Sequence, residues 1–101
     1  MATRSTVKIE GITFAKMYKH YDGHPQNMLP WLEEFNRRFT EIRGEDPEYK
    51  FAQLLRSSTE SEFKLDTSKS TGYGIIPYDS VSGEEYEYTL HNDGTVSYKT
   101  I

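Results

Sequence analysis

Two histidines, two tyrosines and the only tryptophan of this chain fall between Tyr18 and Trp31, in the run Tyr-Lys-His-Tyr-Asp-Gly-His-Pro-Gln-Asn-Met-Leu-Pro-Trp. Aromatic faces can stack on a ring-bearing ligand, and imidazole and ammonium groups can meet its negative charge. His20, Asp22 and His24 are also ligand types that suit a divalent ion. His-x3-His aligns its ligands only on a helix, however, and Gly23 and Pro25 forbid one, so no metal is expected. Glu84, Glu85 and Glu87 form an acidic run that reads as the solvated face of an exposed strand. No nucleophile is paired with a base in the sequence, so neither a catalytic set nor a cofactor is implied and the chain is read as a non-enzyme. What remains is binding of a small anionic ligand with rings, such as a nucleotide. Its candidate residues are Arg4, Tyr18, Lys19, His20, Tyr21, Trp31 and Tyr73. The bland alternatives are a solvated Arg4 on an edge strand, a packing Trp31 and tyrosine-rich core packing.

The elements that must position these groups follow from hydrophobic period and turn chemistry. Thr3 to Ile9 is rich in β-branched residues, Glu10-Gly11 follows as a turn, and alternation resumes from Ile12 to Tyr18. A two-residue loop would pair Ile9 with Ile12, Val7 with Phe14 and Ser5 with Lys16, giving one apolar face and a hairpin. That register brings Arg4 close to Met17-Tyr18, with the Thr3, Ser5 and Thr6 hydroxyls beside it as a phosphate anchor. Gly23 is free to take positive φ, and Pro25 holds His24 extended. A helix is expected from Asn27 as N-cap, with Pro30 in its first turn. Met28, Leu32, Phe35, Phe39 and Ile42 form its core stripe, and Trp31 lies about 60° off it. Gly44 ends that helix, and Asp46-Pro47-Glu48 starts a second of about three turns, to about Arg56, with Phe51, Leu54 and Leu55 inward.

Ser57 to Thr71 reads as a loop with a possible short strand at Phe63-Lys64-Leu65. Gly72 to Asp79 reads as a strand that Pro77 pushes to a sheet edge or a strand end. The last element is a hairpin of Glu85–His91 with Thr95–Ile101 around Asn92-Asp93-Gly94. It aligns Leu90 with Val96 and Tyr88 with Tyr98, and places Gly94 in the left-handed region. The expected architecture is α+β: a mainly antiparallel sheet of four or five strands with two helices packed on one face, in a single domain spanning 1–101.

Composition bounds the partners. The chain has 101 residues, 35% hydrophobic and 14% aromatic, with 8 tyrosines and a net charge of −4. The charge is uneven: Arg4, Lys8, Lys16 and Lys19 face only Glu10 in residues 1–19, whereas 79–101 hold five acids against Lys99. Duplex nucleic acid wants a broad basic face and is not expected. The chain has no cysteine, which excludes disulfides and is compatible with a reducing compartment; no apolar run approaches a membrane span, so a cytoplasmic protein is expected. Exposed tyrosines and a small apolar core suggest self-association, hence a homo-oligomer.

The opening Met-Ala-Thr-Arg-Ser-Thr-Val-Lys-Ile and the run His20-Tyr21-Asp22-Gly23-His24-Pro25 resemble a group of small phage-encoded proteins. Members of that group open Met-Ala-Thr-Arg-Ser and carry His-aromatic-Asp-Gly-x-Pro. The likeness spans the first third of the chain and, more loosely, the tyrosine-rich C-terminal hairpin. It points to phage anti-defence proteins, among them sponges that sequester cyclic-dinucleotide immune signals (anti-CBASS proteins). The resemblance implies an oligomer that binds without cleaving, and it reaches individual residues only at Arg4 and the Tyr18–Pro25 run. A different class of function is a phage protein–protein inhibitor that turns an acidic C-terminal face against a basic host site.

Overall fold

The computed structural model describes residues 3–59, 72–81 and 83–101. The chain runs β1 (Ser5–Ile9), β2 (Ala15–Lys19), α1 (Pro25–Arg43), α2 (Pro47–Thr59), β3 (Tyr73–Pro77), β4 (Tyr86–Leu90) and β5 (Val96–Thr100). One five-stranded sheet has the order β3-β2-β1-β4-β5. All its pairings are antiparallel except the central β1–β4 pair, which is parallel. The α+β architecture expected from the sequence is therefore present, as a mixed sheet.

Both helices pack on one face. Alternation along the strands delivers Val7, Ile9, Met17, Tyr88 and Leu90 to that face, where they form one core with Met28 and Leu32 of α1 and Phe51 and Leu54 of α2. At roughly 1.5–3 kcal/mol for each large side chain fully buried, this single cluster dominates the stability of the domain. The other face carries no helix. The connection from β3 to β4 must pass two intervening strands, and residues 78–81 and 83–85 lie over that open face as a strap.

The first hairpin does not have the register expected. Ser5 pairs with Lys19, Thr6 with Tyr18 and Val7 with Met17, a slip of three residues. The cause lies in the turn. Ile12 N–H bonds to the Ile9 carbonyl at 3.0 Å, Gly11 takes φ 97°, and Ile12 then drops into the core instead of starting a strand. Phe14, expected inside, is 71% exposed. An odd slip exchanges faces, so Lys16 and Tyr18 lie on the open face.

Helix α1 starts three residues earlier than expected, with His24 in place of Asn27 as the extended N-cap and Pro25 in the first turn. Proline at that position loses no intrahelical bond and is pre-set in φ, and this outweighs capping by Asn27. The Asn27 amide instead donates to the Asp22 carbonyl at 2.7 Å, and Pro30 stands inside the helix. The core stripe also differs: Asn36 is buried and Ile42 is 80% exposed. The Asn36 amide donates to the His91 and Thr95 carbonyls at 3.0 and 2.8 Å, tying α1 to the β4–β5 turn.

Other local signals hold as read. Gly44 caps α1, its N–H bonding to the Thr40 carbonyl. Pro47 opens α2, which runs on to Thr59. Pro77 ends an edge strand. In the last hairpin Leu90 pairs with Val96 and Tyr88 with Tyr98, and Gly94 has φ 94°. Residues 60–71, which include the Phe63–Leu65 segment, lie outside the described residues.

Candidate functional site

The register places the expected ligand residues in separate small groups. Tyr18 and His20 share the open face, joined by a hydrogen bond of 2.8 Å between the phenol and Nδ1. Tyr21 meets His20 edge to face at 4.5 Å between ring centroids. Lys19 points to the helix-bearing side, where its ammonium donates to the Tyr73 hydroxyl at 2.9 Å and lies 4.3 Å from that ring's centroid. Trp31 packs against the core and lines a groove between α1 and α2 with Phe35 and Phe39.

Arg4 is exposed, and its guanidinium lies along Gly83, where a Cβ would come within 2.8 Å of it. The hydroxyl cluster expected around Arg4 does not form. Ser5 and Thr6 lie on opposite faces of β1, and each hydroxyl is buried without a hydrogen-bond partner. Gly23 serves close packing rather than positive φ: Ser5 Oγ and the Thr3 carbonyl stand 2.6 and 2.8 Å from where a Cβ would be. The positive φ of that turn falls on Asp22, at 54°.

The open face carries a denser grouping that the sequence reading missed. Across the sheet, Gly74, Tyr18, Thr6, Glu87 and Lys99 form one row of paired residues. One step along the strands, Lys8 and Lys16 stand beside Thr89 and Ile76. The Glu87 carboxylate accepts three ammoniums: Lys8 at 3.2 Å, Lys99 at 3.5 Å and Lys16 at 3.9 Å. Lys16 stands equally far, 3.9 Å, from Glu84 on the strap.

Glu84 and Glu87, expected to be solvated, are both buried, and Lys16 is 3% exposed. From the strap, the Tyr78 ring covers Lys8, whose ammonium lies 4.2 Å from the ring centroid. Strap and sheet enclose a cleft of about 400 Å³. The only sequence signal for this site was alternation once the register is correct. Lys8, Lys16, Glu87 and Lys99 then share one face, but the burial of Lys16 and Glu87 comes from the strap, a non-local event.

The charges that line the cleft balance: Lys8, Lys16 and Lys99 stand against Asp79, Glu84 and Glu87, so an anion would be drawn by Lys16 itself rather than by a surplus of charge. The two 3.9 Å contacts of Lys16 are Coulombic pairs, too long for hydrogen bonds, so they leave donor capacity on a desolvated ammonium. The Thr6 hydroxyl, buried and unpartnered, neighbours Glu87 in the same row. Among the described residues no group of three or more His, Cys, Asp or Glu could hold a metal ion.

Comparison of the chain with protein-family models, with curated proteins and with solved structures gave no match. No helix among the described residues is long and apolar enough to cross a membrane.

Proposed function

We propose that this chain is a non-catalytic binding protein that holds a small anionic, ring-bearing ligand of the nucleotide class in the strap-covered cleft of its open face. The observation that carries the reading is the convergence of Lys8, Lys16 and Lys99 beside an aromatic ring, with Lys16 buried and bonded only electrostatically. Phosphate oxygens would supply the hydrogen bonds that the two carboxylates leave unmade, and Tyr78 offers a face for a base. Tyr18 and His20 extend the same face toward Tyr21 and Arg4. The resemblance of the opening residues supports a cyclic dinucleotide as the ligand, sequestered intact in the cytoplasm of an infected host cell.

The inhibitor alternative has less to stand on. Two of its acids, Glu84 and Glu87, are turned into the cleft and paired with lysines. Incubation with a panel of mononucleotides and cyclic dinucleotides, followed by heating and chromatography, separates the readings. Return of intact ligand supports sequestration, a modified product means an enzyme, and no depletion returns the question to a protein target. In calorimetry with the depleted ligand, Lys16→Met should weaken binding by about 1.5–3 kcal/mol, the range for hydrogen bonds to charged groups. Unchanged affinity would place the ligand elsewhere.

A further inference from the structure

The two edges of the sheet differ in what they offer a neighbour. In the β4–β5 hairpin, His91 N–H bonds to the Thr95 carbonyl and Ile101 N–H to the Glu85 carbonyl. With the register fixed between those bonds, Thr95, Ser97, Lys99 and Ile101 turn their backbone groups inward to β4. Val96, Tyr98 and Thr100 turn theirs outward. Among the described residues no strand pairs with that edge.

The same accounting on β3, from Tyr78 N–H to the Phe14 carbonyl and His20 N–H to the Gly72 carbonyl, turns Tyr73, Ile75 and Pro77 outward. Pro77 has no N–H, so the β3 edge is blunted. Edges are commonly protected by proline, bulges or charges. β5 has no proline and pairs without a bulge, and its one charge, Lys99, is drawn to Glu87.

We propose that β5 pairs antiparallel with β5 of a second copy of this chain about a twofold axis at Tyr98, joining two sheets into one of ten strands. The edge is complementary to itself in one full-length register. Tyr98 faces its own copy and Val96 faces Thr100, so all three outward residues exchange N–H and carbonyl bonds, about six in all. Tyr98, 48% exposed and in tilted ring contact with Tyr88 and Tyr86, extends an existing tyrosine ladder across the axis. On the open face Ser97 meets Lys99, so no like charges are opposed. An axis at Lys99 would oppose two ammoniums and pair only Tyr98 with Thr100, for about four bonds instead of six. This pairing does not depend on what the cleft binds.

The chain has no cysteine, so a single introduced thiol reports contact between copies and nothing else. At a hydrogen-bonded twofold position the two Cα atoms stand about 5.5 Å apart, within disulfide range. Tyr98→Cys should therefore oxidise to a covalent dimer. Val96→Cys should stay unlinked, because its own copy lies about four residues away along the strand, roughly 13 Å. Thr100→Pro removes only an outward donor. It should keep the hairpin and give a monomer in sedimentation at ~50 µM, where the parent is a dimer. A parent that sediments as a monomer, equal cross-linking of the two cysteine variants, or a dimeric Thr100→Pro would each overturn the pairing.

Discussion

The Lys50 ammonium has no exposed surface, and its one hydrogen bond, 3.3 Å to the His91 carbonyl, is long. Burial holds its pKa below the ordinary 10.5, partly opposed by Glu10, Asp93 and Glu45. Below the folded-state pKa both states carry the proton, and folding bears the full cost of desolvating the charge. As pH rises from that value toward 10.5 the folded state releases its proton first, so stability rises. Tyr88 acts in the opposite sense. Its hydroxyl donates to the Gly23 carbonyl at 2.6 Å, and burial, helped by Tyr86 and Tyr98, raises its pKa. Above the ordinary value of 10.0 the unfolded chain loses that proton while the folded one keeps it, and stability falls.

Comparing variants removes the tyrosine from the difference. Lys50→Met should be the more stable protein near neutral pH by about 1–2 kcal/mol, since Asn36 still satisfies the His91 carbonyl. That advantage should shrink as pH approaches 10.5. Urea unfolding across this range is the measurement, and parallel curves would mean that the buried ammonium carries no penalty.

At the scale of elements, the β4–β5 turn depends on Gly94. Its Cβ position is uncrowded, with Thr40 3.6 Å away, so a side chain there is opposed by φ of 94° alone. Gly94→Val should cost about 1–2 kcal/mol and lower Tm by roughly 5–10 °C for a domain of this size, read in a thermal melt. An unchanged melt would mean that the turn rearranges freely.

This hairpin was legible in the sequence because its turn chemistry and apolar alternation lie within seventeen residues. The same holds for Gly44 and the Asp46-Pro47 start. The β1–β2 register was not legible, because Ile12 is buried by tertiary packing and a two-residue turn matched the local alternation equally well. Asn36 and Lys50 are polar residues outside the apolar stripes of their helices; only the arrival of the distant β4–β5 turn makes their burial sensible. Of the candidate site, the residue types near Tyr18 were visible. The lysine cleft was not, since Glu87 looks solvated until the strap crosses above it, and Glu84 until the strap turns it toward Lys16.

For the whole molecule, the strap ties the proposed ligand cleft to the topology. It carries Glu84 into the place where an incoming anion would meet Lys16, so ligand and carboxylate compete for one ammonium. Glu84→Gln keeps the shape and removes the competing charge. It should tighten nucleotide binding by about tenfold, or ~1.4 kcal/mol, as read by calorimetry. Unchanged or weaker affinity would mean that the strap supports the ligand rather than competing with it.

The parallel pair at the centre of the sheet also sets a timetable for synthesis. Ser5 lies opposite Tyr86, so the middle strand waits for a neighbour translated about eighty residues later. At roughly 5–20 residues per second that interval is about 4–16 s. During it the nascent β1–β2 hairpin has an unsatisfied inner edge, and Val7, Ile9 and Met17 await their cover. The vulnerable species in the cell is therefore the half-made chain. Slow translation through the second half, or truncation before β4, should produce aggregation long before any fault shows in the finished fold.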